Sequence, residues 1–277
     1  MPTWFITGCS TGLGRELALA VLRRGWNAVV TARDPQRVAD VVAQFPDTAL
    51  ALPLEVGDHA QVVSAVAAAT ERFGAIDVVV NNAGHGFRAA VEEAEDDEVA
   101  ELFATNFFGP VDLVKAVLPQ MRERRSGTIV NVSSIGAPRS NPASGYYSAT
   151  KSALESVSDA LAREVRPLGI HVLVLEPGAL RTEFSGGSLL QSRRVIDDYA
   201  GTAGLRRKEN DRTHGTQPGD PARAAETVVD VVAAGDPPFR LLLGSDALAV
   251  VREELTGRLA EIDAWQDTSA ATDFPTD

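Results

Sequence analysis

Cysteine is nearly absent: Cys9 is the only one in 277 residues. No intrachain disulfide can form, so the chain must be held by its own core, and a reducing cytoplasm is the expected setting. Long apolar runs are missing as well. No stretch of about 18 consecutive apolar residues occurs, and no membrane span is expected. The opening residues Met1-Pro2-Thr3-Trp4-Phe5-Ile6-Thr7-Gly8 lack a basic region followed by a long apolar one, so no secretory signal is expected. Positive charge is scarce, with 26 Lys and Arg against 38 Asp and Glu, a net charge of -12. That balance repels a phosphate backbone and an anionic membrane, and it argues against nucleic-acid and membrane partners. The few histidines, His59, His85, His171 and His214, show no metal-ligand spacing, and no metal is expected.

What is present is ordinary for a soluble globular domain: 44% hydrophobic and 23% charged residues. Short β-branched runs at 4–7, 28–31, 50–54, 78–81, 128–132, 172–175 and 240–243 alternate with segments of helical apolar spacing. The helical segments are 13–24, 60–73, 99–121, 152–165 and 221–233. Continuous apolar runs such as Val78-Val79-Val80 suit strands covered on both faces. The alternation predicts an α/β fold, one doubly wound parallel sheet of about seven strands with helices on both faces. A single domain over 1–265 is expected. Residues 185–221 interrupt the alternation and are too long for a connector, so they read as a lid or an insert. Residues 266–277 read as a frayed tail.

Directly after the first strand comes Gly8-Cys9-Ser10-Thr11-Gly12-Leu13-Gly14, then a helix. Glycines there permit a sharp turn and a close approach to a pyrophosphate, and the helix N-terminus offers free N–H groups and a positive dipole end. Cys9 reads as a small packing residue. A second signal is Tyr147-Ser148-Ala149-Thr150-Lys151. Residues i and i+4 share a helix face, so phenol and ammonium can converge. A nearby cation lowers a phenol. Bringing it from about 10 to about 7 takes roughly 4 kcal/mol, and yields a general acid/base suited to neutral pH. Asn131-Val132-Ser133-Ser134 ends a strand, where open α/β sheets bind ligands, and Ser134 can hold a substrate carbonyl there.

Together these residues resemble the classical short-chain dehydrogenase/reductase family, from about residue 3 to 182 and more loosely beyond. The resemblance implies a Rossmann-type fold and a hydride exchanged between NADP(H) or NAD(H) and a carbonyl or secondary alcohol. It implies that Gly8, Ser10, Thr11, Gly12, Leu13 and Gly14 form the cofactor loop. Asn82, Ala83 and Gly84, in the Asn81-Asn82-Ala83-Gly84 motif, would meet the cofactor ribose. Asn106 corresponds to the asparagine that organises a proton relay. Ser134 would orient the carbonyl and Tyr147 would pass the proton. Lys151 would lower the tyrosine and bind the nicotinamide ribose. Pro177, Gly178, Leu180 and Thr182 would meet the nicotinamide carboxamide. The family's aspartate after the third strand is replaced by Glu55-Val56, which leaves the adenine contact to a longer carboxylate; Asp58 is the lesser candidate. Trp4-Phe5-Ile6-Thr7-Gly8 and the late Leu241-Leu242-Leu243-Gly244 are similar to bacterial members like 17β-hydroxysteroid dehydrogenases. Family members are commonly homodimers or homotetramers built on helices here around 99–121 and 152–165.

At the end of the second strand an NAD enzyme wants a carboxylate for the ribose 2′-hydroxyl. Here Ala32 is followed by Arg33, whose guanidinium can grip a 2′-phosphate, and NADP is the expected coenzyme with NAD allowed. Arg37 and Arg15 are possible reinforcements. The acidic run Glu92–Glu98 reads as a water-facing cap for the next helix. The rival reading is a dinucleotide-binding regulator or scaffold without turnover.

Overall fold

A computed structural model describes residues 1–213 and 215–274. His214 and the last residues of the expected tail, 275–277, lie outside the described residues. The chain starts with β1 (Thr3–Ile6), α1 (Gly12–Arg23), β2 (Asn27–Ala32), α2 (Ala39–Gln44), β3 (Ala49–Pro53) and α3 (His59–Phe73). Next come β4 (Val78–Asn81), the short β5 (Gly86–Arg88), α4 (Asp96–Phe103), a π-helical turn (Ala104–Phe108) and α5 (Gly109–Arg124). Then follow β6 (Gly127–Val132), α6 (Gly145–Val165), β7 (Ile170–Pro177) and β8 (Leu189–Gln191). The chain continues through α7 (Ala203–Thr213), α8 (Pro221–Ala233), β9 (Arg240–Leu243) and α9 (Ser245–Ala270).

The main sheet has seven strands in the order β3-β2-β1-β4-β6-β7-β9, every neighbouring pair parallel. Each of the seven runs expected from sequence is one of these strands. Alternate residues of each strand feed opposite faces. Trp4, Ile6, Val30, Val78 and Val80 pack with α1 and α8, while Phe5, Val29 and Val79 pack with α3 and α5. Each such buried side chain contributes roughly 1.5–3 kcal/mol, which is why the central strands carry no polar alternation. The strand order reverses between β1 and β4. A crevice opens there at the C-terminal edge, the usual ligand position in open α/β sheets.

Local chemistry sets the helix ends. Asp58 begins α3 by accepting hydrogen bonds from the N–H groups of Ala60 and Gln61, and Asp220 begins α8 likewise, ahead of Pro221. The single helix expected over 99–121 is two helices joined by the π turn. The extra residue per turn swings Asn106 inward and leaves it fully buried. Residues 185–221 are not a structureless insert. They supply β8, which pairs in parallel with β5, and α7. The tail expected from residue 266 is helical through Ala270, as the end of α9.

Candidate active site

The glycine loop sits between β1 and β4 and is fixed by neutral hydrogen bonds. The Thr7 hydroxyl accepts from the backbone N–H of Asn82 and of Ala83, each at 2.9 Å. The Asn82 amide donates to Thr7 O at 2.8 Å and Gly8 O at 3.1 Å. Gly8 has φ +71, and a β-carbon on it would lie 2.9 Å from Ala83 Cα. A β-carbon on Gly14 would lie 2.3 Å from the Asn82 amide nitrogen, so α1 closes on this motif only because residue 14 is glycine. Ser10 and Thr11 are half-buried at the loop's mouth, and Leu13 anchors the loop in the core. Thr11 makes no side-chain cap, so the first N–H groups of α1 stay open to a phosphate. Across the crevice Thr182 lies against Gly12, 3.2 Å from where a β-carbon would stand. The cradle therefore fits a dinucleotide pyrophosphate. Cys9 is buried, its thiol donating to Ile6 O at 3.2 Å and pushed up to about 12 by burial, as suits a packing residue.

Further out, Arg33 is exposed at the end of β2 and forms no ion pair among the described residues. Asp34 instead caps the turn after it by accepting from Gln36 N. Arg37 is exposed, whereas Arg15 is paired with Asp40. Val56 is buried, and the Glu55 carboxylate lies beside Gly57 N at 3.4 Å. Asp58 is committed to its cap and to the Gln61 amide.

The four candidate catalytic residues converge. Asn106 holds the turn after β4 from both sides: its amide donates to His85 O at 2.9 Å and its oxygen accepts from His85 N at 3.0 Å. Gly84 lies against both Asn106 and Lys151. Lys151 donates to Val132 O at 2.8 Å, and its ammonium is 5.9 Å from the Tyr147 ring centroid. Ser134 accepts from Gly136 N at 3.0 Å and hydrogen-bonds the Tyr147 phenol. Burial raises Tyr147 above its ordinary value, outweighing the opposite pulls of Ser134 and Arg88. This corrects the expectation that Lys151 lowers the tyrosine: in the protein alone, desolvation wins. Lys151 itself is brought down to about 8 by burial, against the pull of Glu155. His85 reaches the site's edge and is lowered by burial, with Lys151 among its charged neighbours. Tyr146 points elsewhere and donates to Val91 O at 3.1 Å.

The segment from Pro177 to Thr182 leaves the end of β7. Ile135 N donates to Pro177 O, and Gly178 N donates to Leu243 O. Asp246, in the first turn of α9, accepts from Ala179 N at 2.7 Å and packs against Gly178, which has no β-carbon to clash with it. Leu180 bridges to Gly219. Sequence reading missed Asp246, because nothing near it in the chain marks it as a partner of residue 179. It also missed Phe184, whose ring centroid lies 5.8 Å from that of Tyr147.

The acidic run needs correction. Glu95 and Glu98 do form a capping box for α4, but Glu93 does not face water. It is fully buried and ion-paired with Arg207 of α7. It also accepts from Ala90 N at 2.7 Å and Ile196 N at 2.9 Å. Of the apolar residues in 185–221, Leu189 packs near Gly86 and Tyr199 near Ala90 and Ala143. Leu190 and Val195 are exposed. Among the described residues, no cluster of His, Cys, Asp and Glu is arranged to hold a metal, and no helix is long and apolar enough to cross a membrane.

Known proteins are similar to this chain in sequence and fold. The sequence profile of the short chain dehydrogenase family matches residues 2–191. Oxidoreductase BOA17 of Botryotinia fuckeliana (strain B05.10) is 38% identical over 275 residues, covering 97% of this chain and 98% of that protein. A short-chain dehydrogenase from Streptomyces avermitilis superposes with a TM-score of 0.92 at 41% identity, over 99% of this chain and 100% of that one. An alcohol dehydrogenase from the archaeon Thermococcus sibiricus, solved with 5-hydroxy-NADP, gives a TM-score of 0.72 at 26% identity over 88% of this chain and 96% of that one. The 3-ketoacyl-(acyl-carrier-protein) reductase of Brucella melitensis, solved with NADH, gives 0.75 at 28% identity over 89% and 97%. A glycine loop braced by Asn82, a Ser134–Tyr147–Lys151 cluster beneath it and a family profile that spans well over half of the sequence lead to one assignment: this chain belongs to the short chain dehydrogenase family.

Proposed function

We propose that the protein is an NADP(H)-dependent carbonyl reductase or secondary alcohol dehydrogenase, with NAD(H) as the lesser coenzyme. The observation that carries this is the buried Tyr147 phenol, hydrogen-bonded to Ser134 and flanked by the Lys151 ammonium at the mouth of a dinucleotide cradle. A bound nicotinamide dinucleotide supplies or accepts the hydride. Ser134 orients the carbonyl oxygen. Tyr147 gives its proton to that oxygen in reduction and takes one back in oxidation. A phenol held above its ordinary value is protonated at neutral pH and can donate. Lys151, anchored on Val132 O, keeps a positive charge beside the phenol. Asn106 holds the His85 backbone and so the floor of the site.

Arg33, exposed and unpaired, suits a 2′-phosphate; the NADP- and NADH-bound relatives support a site that takes either coenzyme. Residues 185–221 cover the substrate side. The narrower likeness to 17β-hydroxysteroid dehydrogenases rests on sequence alone, so a steroid ketone is one member of the substrate panel and no more. We place a homodimer or homotetramer contact on α5 and α6, where Val157 is 42% exposed, and light scattering on the purified protein tests it.

The test of the activity is Tyr147→Phe in an NADPH-coupled carbonyl screen. Loss of the proton donor should lower kcat by about 10²–10⁴-fold while coenzyme binding persists. Turnover within a factor of a few of the parent would reject the assignment. A protein that binds NADPH but reduces no carbonyl would be the regulator or scaffold.

A further inference from the structure

Arg88 is a cation with no role in the chemistry above. It ends β5, just beyond the Asn82-Ala83-Gly84 motif. Along a strand, residues i and i+2 point the same way. Phe87 turns into the core with Leu102, so Gly86 and Arg88 share the opposite face. The β-carbon direction of Gly86 meets the Phe184 ring at 3.3 Å, and that ring packs on Tyr147. Ala89 N donates to Ala143 O at 3.1 Å, which ties the end of β5 to the segment that enters α6. Arg88 thus extends from the wall beside the catalytic phenol, and the two interact electrostatically.

Its guanidinium lacks a matching acceptor. Nε is buried with no hydrogen-bond partner, and among the described residues Nη1 reaches only its neighbour's carbonyl, Phe87 O, at 3.4 Å. Among the described residues no carboxylate forms an ion pair with it. Burial pulls it down to about 10, with Arg206 acting in the same direction, so it remains a cation at neutral pH. Arg206, on α7, is within electrostatic reach, and its Nε is also buried without a partner. Glu209 pairs with Arg206. Among the described residues, two guanidinium groups face that one carboxylate and leave one positive charge over.

A half-buried guanidinium whose Nε is closed off from water without a partner is costly unless an anion completes it. Its planar fork matches a carboxylate, and a surplus of one charge matches a monoanion better than a phosphate dianion. We propose that Arg88, assisted by Arg206 of the lid, is the specificity-determining residue for a carboxylate on the substrate, so that the enzyme acts on oxo or hydroxy acids. This rests on the carbonyl reductase reading.

The experiment compares short oxo acids, such as 4-oxopentanoate and 5-oxohexanoate, with their methyl esters as NADPH-coupled substrates. The wild type should favour the best acid over its ester in kcat/KM by about 10–150-fold, the range for a hydrogen bond to a charged group. Arg88→Leu should bring that ratio close to one, chiefly through the KM of the acid. Arg88→Lys should restore part of it, and Arg206→Ala should lower it by less. Equal use of acid and ester by the wild type, or the same ratio in wild type and Arg88→Leu, would overturn the proposal. If no carbonyl is reduced at all, the reductase reading fails separately. Calorimetric titration of the same acids into the NADPH-loaded protein then decides the subsite: tighter binding to wild type than to Arg88→Leu supports it, and equal or absent binding rejects it.

Discussion

The two walls of the cleft are held by different forces. The coenzyme wall is a web of short, neutral contacts between adjacent strands: the Thr7 hydroxyl, the Asn82 amide and the glycines of the loop. The lid wall is tied down by charge. Glu93 takes Arg207, and Arg193 takes Asp97 and Glu98. Tyr199 donates to Glu92 at 2.7 Å. Neutral contacts inside a sheet move only if the sheet moves. Breaking the ion pairs of the other wall leaves the sheet's own bonds intact.

This contrast can be broken most severely at Glu93. Glu93→Gln leaves Arg207 buried without its counter-charge, a loss of about 3–5 kcal/mol. Protease cleavage within 185–221 should accelerate by more than about 100-fold. NADPH affinity should stay close to wild type, because the coenzyme wall shares none of these bonds. A fall in both together would mean the walls are one cooperative unit. Burial opposes ionisation of Glu93, yet the Ile196 and Ala90 N–H groups and Arg207 hold its carboxyl below the usual range. The anchor is therefore lost only as pH falls through that depressed value.

The opposite wall is tested at Arg33. Arg33→Ala should weaken NADPH use by about 10–150-fold in kcat/KM and leave NADH use nearly unchanged. Lid proteolysis should not respond. Equal losses with both coenzymes would make Arg33 an ordinary surface residue.

The smallest effect belongs to the sheet that both walls share. Burial and the neighbouring Glu155 raise Glu176 from 4.5 to about 7, partly offset by Arg240. Between those values the folded state holds a proton that the unfolded chain has released, so stability falls as pH rises through that window. A decline in Tm of about 2–4 °C is expected, the shift that about 1 kcal/mol gives a domain of this size. Glu176→Gln should flatten it, and a slope unchanged in the variant would assign it to another group.

The coenzyme wall was largely legible in the chain. Its strands are apolar runs, its loop is a cluster of glycines, and its braces lie in the motif that ends β4. The lid wall was not. β5 and β8 have three residues each, too few to show a period. Glu93 lies among acidic neighbours that do face water, and its partner Arg207 is 114 positions away. Likewise α9 buries only Ala247 and Val251 among its 26 residues.

By itself the sequence determined the parallel sheet, the dinucleotide loop and the Ser134, Tyr147 and Lys151 set, because each is written locally: continuous apolar runs in strands, i and i+4 on a helix, glycine where the backbone must turn. Only the tertiary structure decided which charges are buried and what faces them. Glu93 became an anchor, Asp246 a brace for the segment after β7, and Arg88 a cation beside the phenol. The physical reason is that the energy of a charge depends on its desolvation and its nearest counter-charge, and both are supplied by residues brought together only when the chain is folded.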